Sequence, residues 1–222
     1  KKLIYGTPVC DRDESEEYPL SGINECFFTP DGAILARSAI YEDAFGLTRI
    51  DPRNSSTRPI EVSGFGKPGP GELQHIHRIS ARDYVLEYNI NGCTFLCEGR
   101  LDEDERELDV TNVFLEKTTL GEGVVESFSH DEESGDYIIS FSTPTSPSQI
   151  YTFEGHSREV VCHSDEHILG ILASHLSPGE DSTFSSHDGL TIPARLYVPS
   201  PEVKAEEPYP VVFYIHGGPQ SQ

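Results

Sequence analysis

The chain has 222 residues, and 38 Asp and Glu against 16 Lys and Arg give it a formal net charge of −22. Such charge repels phosphate and anionic lipid head groups, and the cations are scattered, so neither nucleic-acid nor membrane-surface binding is expected. No apolar run approaches the ~18 residues that a membrane helix needs. With 11 Phe and 10 Tyr along its length, the chain is expected to fold as one large or two modest domains.

The five cysteines are an odd number and lack the dense spacing of a secreted disulfide scaffold. A reducing compartment, and hence the cytoplasm, is the expected location. Cys93 and Cys97 lie in one strand-like run with three residues between them, which favours ordinary sheet residues over a redox or zinc pair. The chain contains no Met and stops directly after an apolar run and a Gly-Gly turn. We interpret it as an internal fragment of a longer protein.

Residues 11–17 open like a calcium-binding loop, but Glu16 stands where the sharp turn needs Gly, so a solvated acidic loop is expected. Residues 64–69 match the pattern GxGxxG. However, Pro68 falls where a phosphate-binding helix would begin, which favours a surface loop between two blade-like groups of strands over a dinucleotide site.

Three units of similar pattern follow one another along the chain. In each, a strand-like run leads into a polar turn that contains Asp, and further strand-like runs follow. Phe28, Ile79 and Phe128 mark corresponding positions, so the period is about 50 residues, which is typical of four-stranded propeller blades. Because one blade cannot cover its own apolar faces, this period predicts about three stacked blades rather than a sandwich.

Two histidine pairs lie close together in sequence, His75 with His77 and His163 with His167. Neither pair matches HExxH or has a convincing third ligand. Surface or hydrogen-bonded histidines are the favoured interpretation, and no metal is expected.

Residues 164–176 are predicted to form a short helix or an irregular linker. In the helical alternative Ser164 is the N-cap. The apolar face of that helix would carry Ile168, Leu169, Leu172 and Leu176.

Two strand-like runs at residues 182–186 and 190–198 flank Asp188 and Gly189, which predicts a hairpin that opens a new domain. After a Pro-rich surface loop, residues 211–215 are five consecutive apolar residues. A run without alternation predicts a strand buried on both faces, as in a parallel α/β sheet.

His-Gly-Gly-Pro at residues 216–219 follows this run directly. Serine hydrolases of the α/β type place such a loop after an early strand, so that a glycine N–H can stabilise the oxyanion. A simple tight connection is the alternative interpretation.

Residues 184–222 resemble the entry into the catalytic domain of the prolyl oligopeptidase family of serine peptidases. The resemblance rests on the Asp-Gly hairpin, on Tyr209-Pro210 before the apolar run, and on His-Gly-Gly-Pro followed by Gln222 in the pattern HGGPxxQ. The acylaminoacyl-peptidase and dipeptidyl-peptidase-like branch is the one it resembles.

The resemblance implies a mainly β chain: C-terminal blades of a β-propeller (residues 1–176), then the first strands of an α/β-hydrolase domain (residues 177–222). It implies hydrolysis of short peptides by a Ser-Asp-His triad downstream of this chain, with no cofactor. The nearest match to GxSxG, residues 155–159, lacks the final Gly, so this chain alone is expected to be inactive. A homo-oligomer of the full-length enzyme is left open.

The resemblance also assigns roles within the loop. The backbone N–H of Gly218 is expected to donate to the oxyanion, Gly217 to shape the turn, and His216 to support the loop rather than act as the triad base.

In the dipeptidyl branch acidic residues can hold the amino terminus of a substrate. Two acidic pairs are candidates for this role: Glu16 with Glu17, and Glu132 with Glu133.

Two other functions are compatible with the sequence. One is a non-catalytic propeller scaffold whose hydrolase-like tail has lost its triad, and the other is an esterase or lipase that shares the His-Gly-Gly loop. A GxSxG motif after Gln222 would favour the peptidase over the scaffold, and the predicted blades disfavour a small esterase.

Overall fold

The computed structural model describes residues 3–18, 21–64, 66, 71–114, 120–155, 157–203, 206 and 208–215. Two compact units divide the chain. The first comprises Lys1–Ile90 and Phe95–Lys117, and the second Asn91–Thr94 and Thr118–Gln222. The predicted boundary after residue 176 stays a prediction.

The first unit holds two antiparallel meanders of four strands each, except that the first two residues of β7 are assigned to the second unit. The first meander consists of β1 (Asn24–Phe28), β2 (Ile34–Ser38), β3 (Gly46–Ile50) and β4 (Thr57–Ser63). The second consists of β5 (Glu72–Arg78), β6 (Asp83–Ile90), β7 (Cys93–Leu101) and β8 (Glu107–Val113). The period of about 50 residues therefore corresponds to four-stranded blades, as predicted.

The two meanders join into one sheet through their last strands. Strand β4 pairs in parallel with β8, with Val62 opposite Leu108, and gives an eight-stranded sheet of order β1-β2-β3-β4-β8-β7-β6-β5. Strands β1 and β5 are consequently the two ends of this sheet.

Apolar side chains between the strands form the core of the first unit. Strand β6 is buried along most of its length. Each fully buried large apolar side chain contributes roughly 1.5–3 kcal/mol. The fully buried side chains of this core include Leu35, Leu73, Tyr84, Leu86, Leu101 and Leu108.

The polar turns are held by their Asp residues. Between β1 and β2, the Asp31 carboxylate accepts hydrogen bonds from Ala33 N (2.9 Å) and Thr29 Oγ1 (2.8 Å). At the corresponding turn of the third unit, Asp131 accepts from Ser134 N at 3.0 Å. The Asp residues of the repeated sequence pattern thus stabilise tight turns, because their carboxylates accept hydrogen bonds from nearby backbone N–H groups.

The second unit contains a third meander and a hairpin. The meander consists of β9 (Val124–His130), β10 (Tyr137–Thr143), β11 (Ser146–Phe153) and β12 (Val160–Cys162), in the order β12-β11-β10-β9. The hairpin is formed by β13 (Glu180–Ser185) and β14 (Thr191–Leu196). The mainly β fold with propeller blades is confirmed.

The hairpin prediction is also confirmed. The Gly189 N–H donates to Ser186 O at 3.0 Å and the Ser186 N–H donates to Leu190 O at 2.8 Å. Gly189 has φ of +86°, in the left-handed region that glycine adopts without a steric penalty.

The helical alternative for residues 164–176 is wrong, and the irregular linker is right. Only Ala173–His175 form a single 3₁₀ turn in this segment. Ser164 does not cap a helix, because its hydroxyl accepts from Ile150 N at 2.9 Å and donates to Gln149 Oε1 at 2.7 Å. Leu169 is 95% exposed, so the apolar face lacks the burial that would offset the cost of starting a helix.

The predicted buried strand at residues 211–215 also differs in the structure. These residues are 75–90% exposed and are not in a strand. A strand buried on both faces needs paired neighbours and covering helices, and the described residues supply neither at this segment. Among them, no helix has the length and hydropathy of a membrane span.

Candidate functional site

The predicted oxyanion loop, His216, Gly217 and Gly218, lies outside the described residues, so its role stays a prediction. The described residues that precede it, 211–215, are exposed to solvent. A cluster of polar side chains is described in the first unit, where β1 and β5, the two end strands of the eight-stranded sheet, contact each other.

One carboxylate connects these end strands. Glu25 on β1 places Oε1 2.6 Å from His75 Nδ1, and its Oε2 accepts a hydrogen bond from Ile76 N at 2.8 Å. An ionised carboxylate only accepts, so the imidazole must donate from Nδ1. Both carboxylate oxygens of Glu25 are therefore held by donors from β5.

Backbone irregularities on both strands make this contact. Glu25 has φ of +42° and lies at a register shift between Asn24 and Cys26. Strand β5 has its own register shift, between Leu73 and His75. Bulges of this kind redirect a side chain and are over-represented next to functional sites.

Two further polar residues lie on these and the neighbouring strands. Gln74, at the bulge of β5, has a buried Nε2 without a hydrogen-bond partner. Arg37 on β2 donates from Nε to the Leu73 carbonyl and lies 3.8 Å from Glu72 Oε1.

The guanidinium of Arg37 is well shielded from solvent. It stacks 4.0 Å from the ring centroid of Phe45, and its side chain is 11% exposed. Desolvation lowers the pKa of Arg37, and the charges of Glu25 and Glu72 act in the opposite direction. Arginine nonetheless remains charged in proteins, so this is a fixed positive charge.

We call Glu25, Arg37, Gln74, His75 and the N–H of Ile76 the end-strand cluster. Next to it, His77 Nε2 lies 3.4 Å from Glu87 Oε2, and the His75 and His77 rings are 6.0 Å apart. Both histidines thus face carboxylates, as expected for hydrogen-bonded histidines. In the part of the chain that the structure describes, no cluster of side chains is suited to hold a metal ion. Within the cluster, the His75 ring and the Ile76 N–H converge on the two oxygens of one carboxylate.

A second polar cluster of the first unit lies along β3. Arg49 donates to Glu105 Oε2 at 2.7 Å and also pairs with Asp31. Glu105 is 2% exposed, and its Oε1 has no partner, like the hydroxyl of the buried Tyr84. Desolvation raises the pKa of Asp31, but hydrogen bonds from Ala33, Thr29 and Arg49 outweigh it and hold the pKa well below its ordinary value.

In the second unit, a groove of about 280 Å³ lies between β11 and the linker. Gln149 fixes the linker there: its Nε2 donates to Glu166 O at 2.8 Å, and its Oε1 accepts from Glu166 N at 2.9 Å. The groove also includes Tyr151 and Cys162, and desolvation raises the pKa of Tyr151.

The histidines of the linker region are exposed. His163 Nε2 lies 2.8 Å from Thr152 Oγ1, and His167 Nε2 lies 3.3 Å from Asp165 Oδ1.

The acidic pairs are exposed as well. Glu16 accepts from the Tyr18 hydroxyl at 2.9 Å, and Glu132 and Glu133 lie in the turn between β9 and β10. Their proposed contact with a substrate stays a prediction.

The remaining motifs lie in ordinary sheet and loop positions. None of the five cysteines forms a disulfide, and Cys93 and Cys97 lie within β7. Gly64 and Gly66 lie in the connection between β4 and β5, the interblade position that was predicted, while Phe65 and residues 67–70 are outside the described residues.

Sequence reasoning missed Glu25, Arg37 and Gln74. Nothing in the local pattern marks a bulge at either strand, and no spacing rule connects residues that approach each other only because two sheet ends meet. The paired His75 and His77 were the only sequence signal near the cluster.

No protein-family model and no curated protein match the sequence. Solved structures do resemble it. One from a study of two prolyl endopeptidases has a TM-score of 0.58 at 15% identity, over 78% of this chain and 24% of that chain. Prolyl oligopeptidase B from Galerina marginata, bound to a 25mer macrocyclization substrate, has a TM-score of 0.60 at 11% identity, over 80% and 23%.

A puromycin hydrolase structure has a TM-score of 0.58 at 14% identity, over 85% of this chain and 27% of that chain. The chain thus spans about a quarter of the length of these proteins. At these identities the likeness establishes the fold: the described strands form part of the propeller found in prolyl oligopeptidase-type structures.

Proposed function

We propose that this chain is part of a cytoplasmic serine peptidase of the prolyl oligopeptidase type, which hydrolyses short peptides. The observation that carries the proposal is the likeness of the blades to prolyl endopeptidase and prolyl oligopeptidase structures over about four fifths of the chain. The His-Gly-Gly-Pro sequence at residues 216–219 supports it independently. The acylaminoacyl, dipeptidyl and oligopeptidase types are the variants considered.

In the proposed reaction a serine in a GxSxG elbow beyond Gln222 attacks the scissile carbonyl carbon. A histidine takes the serine proton and then passes it to the leaving amine, while an Asp orients the histidine. The N–H of Gly218 donates to the oxyanion of the tetrahedral intermediate, with Gly217 and His216 shaping the loop. Water then hydrolyses the acyl-enzyme. The proposal includes no cofactor.

The test is a fluorophosphonate probe, which labels activated serines, applied to the protein encoded by the gene extended in both directions. We expect covalent labelling at a serine within GxSxG. Gly218→Pro removes the N–H donor and should abolish labelling, whereas Gly218→Ala keeps the N–H and should retain part of it. The melting temperature of each variant separates loss of the donor from loss of the fold.

A folded extended protein that takes up no probe would overturn the peptidase proposal. The non-catalytic scaffold would then be the better account of these blades.

A further inference from the structure

The two blades of the first unit are joined by a short run of paired residues. Strands β4 and β8 pair in parallel over three residue pairs, fewer than β1–β2, β2–β3 or β3–β4 have within the first blade. A parallel pair is also slightly less stable per residue than an antiparallel one. We call these three pairs the blade joint. Its stability therefore depends on its side chains more than that of the neighbouring strand pairs does.

Carboxylates lie on both strands of the blade joint. Glu61 on β4 is directly opposite Glu107 on β8, and Asp109 lies two residues further along β8, on the same face. Neighbouring strands are about 4.8 Å apart, and like charges directly opposite each other destabilise a sheet. The two blades therefore repel each other at the joint.

Basic side chains do not neutralise these carboxylates. Among the described residues, none of the three forms an ion pair with Lys, Arg or His. Arg100 on β7 is the register partner of Asp109, but its guanidinium lies 2.9 Å from Asp83 Oδ1. The carboxylate of Glu107 accepts a hydrogen bond from the Ser63 hydroxyl, which carries no charge. The compensating charge must therefore come from ions in solution.

Apolar packing opposes the repulsion. Between the charged positions Val62 pairs with Leu108, and Leu108 is fully buried. The repulsion acts through solvent, because Glu61, Glu107 and Asp109 are exposed. The screening length is about 30 Å in 0.01 M salt and about 3 Å in 1 M salt. Repulsion between neighbouring strands is thus effective in dilute salt and screened in concentrated salt, whereas the apolar packing remains in both.

We propose that the blade joint closes in a salt-dependent manner. Mutual repulsion of Glu61 and Glu107 loosens the pairing of β4 with β8 in dilute salt, and cations that gather around the carboxylates tighten it. The formal net charge of −22 concentrates such cations around the whole chain. The cations act by screening and need no coordination site. This inference is independent of the proposed peptidase function.

The test is amide hydrogen exchange of the chain of 222 residues, followed by NMR in 0.01 M and in 1 M NaCl. Strands β10 and β11 serve as an internal reference, because they pair with each other and contain no charged side chain. We expect the protection of the β4 and β8 amides to rise with salt roughly two- to fivefold more than that of the reference strands, as one like-charge pair predicts.

Substitutions at Glu61 isolate the cause, and they leave the core intact because this side chain is exposed. Glu61→Gln removes one of the opposed charges, so it should raise the protection of β4 and β8 in dilute salt and remove most of their salt dependence. Glu61→Lys creates an attractive pair, so protection at the joint should fall as salt rises. Glu14→Gln removes the same charge from an exposed turn outside the sheets and should leave the joint unchanged.

Three outcomes would overturn the proposal. Equal salt dependence of the blade joint and the reference strands would show that salt stabilises the chain in general. Equal effects of Glu61→Gln and Glu14→Gln would show that only the total charge matters. A Glu61→Lys variant that still gains protection at the joint as salt rises would show that repulsion across the two strands does not govern their pairing.

Discussion

The two compact units differ in how fully they bury similar strands. In the first unit, β6 is buried at most positions, and its neighbours surround a continuous apolar core. In the second, the β13–β14 hairpin has no buried residue, and Phe184 is 58% exposed. Strands therefore form in both units, but they form a core only where another layer packs against them.

The largest difference between the two units is expected in the loss of stability when an ion pair is broken. Arg49→Met removes the partner of Glu105, which is 2% exposed, and leaves a buried charge unpaired. We expect a loss of about 3–5 kcal/mol in the free energy of unfolding, measured in urea. In the second unit, Arg195→Met breaks pairs with Glu122 and Asp181, whose side chains are 69% and 57% exposed, and should cost at most about 1 kcal/mol.

The double variant Arg49→Met with Glu105→Gln serves as the control for the buried pair. It removes both charges and should recover much of the loss. Equal effects of Arg49→Met and Arg195→Met would contradict the contrast between the units.

Truncation of an apolar side chain should also destabilise the first unit more than the second, with a smaller difference between the units. Leu86→Ala opens a cavity in the core of the first unit, where Leu86 is fully buried, and should cost about 2–5 kcal/mol. Phe184→Ala removes a larger side chain from the exposed hairpin and should change stability by no more than about 0.5 kcal/mol. Thermal melts of both variants test this, and a larger effect at Phe184 would show that the hairpin face is covered in solution.

The turns of the blades should give a pH-dependent contrast. The pKa of Asp31 is lowered in the folded state, so its stabilising contribution is present above the unfolded pKa of about 3.9 and is lost as the pH falls below it. Asp31→Asn should therefore destabilise the protein at neutral pH, and its difference from the unaltered chain should shrink below about pH 4. Asp131, whose pKa is lowered mainly by Ser134, has no Arg in its hydrogen-bond set, and Asp131→Asn should have a smaller effect.

Acid-unfolding curves of the two Asn variants measure this difference. If the loss of stability caused by Asp31→Asn stayed constant from pH 7 to pH 2, the carboxylate would be excluded as its origin.

The smallest effect is expected at Tyr84, which is fully buried while its hydroxyl has no partner. Tyr84→Phe removes an unpaired polar group and should be neutral or stabilising by up to about 1 kcal/mol. A clear loss of stability in urea would indicate that the hydroxyl binds an ordered internal water.

The features that could be predicted from sequence are local. Asp31 and Asp131 hold turns through side-chain hydrogen bonds, and Gly189 provides a left-handed residue, so each leaves a signal within a few residues. The blade period repeats these local signals, which is why the mainly β fold was predictable.

The features that could not be predicted depend on distant partners. The parallel pairing of β4 with β8 and the contact of Glu25 with β5 join segments that no periodicity relates. The helix predicted at residues 164–176 does not form although the apolar spacing is helical, because Leu169 on its apolar face is exposed and gains no packing. The burial expected at residues 211–215 likewise depends on strands that the described residues do not supply.

The pairing of β4 with β8 also bears on how the chain is made. During synthesis the edge of β4 remains open until residues 107–109 have left the ribosome, because its partner is the last strand of the following blade. Pro59 lies within β4, and an edge strand that contains proline is a poor template for other chains. The first blade is thus protected against premature association during the interval in which its partner strand does not yet exist.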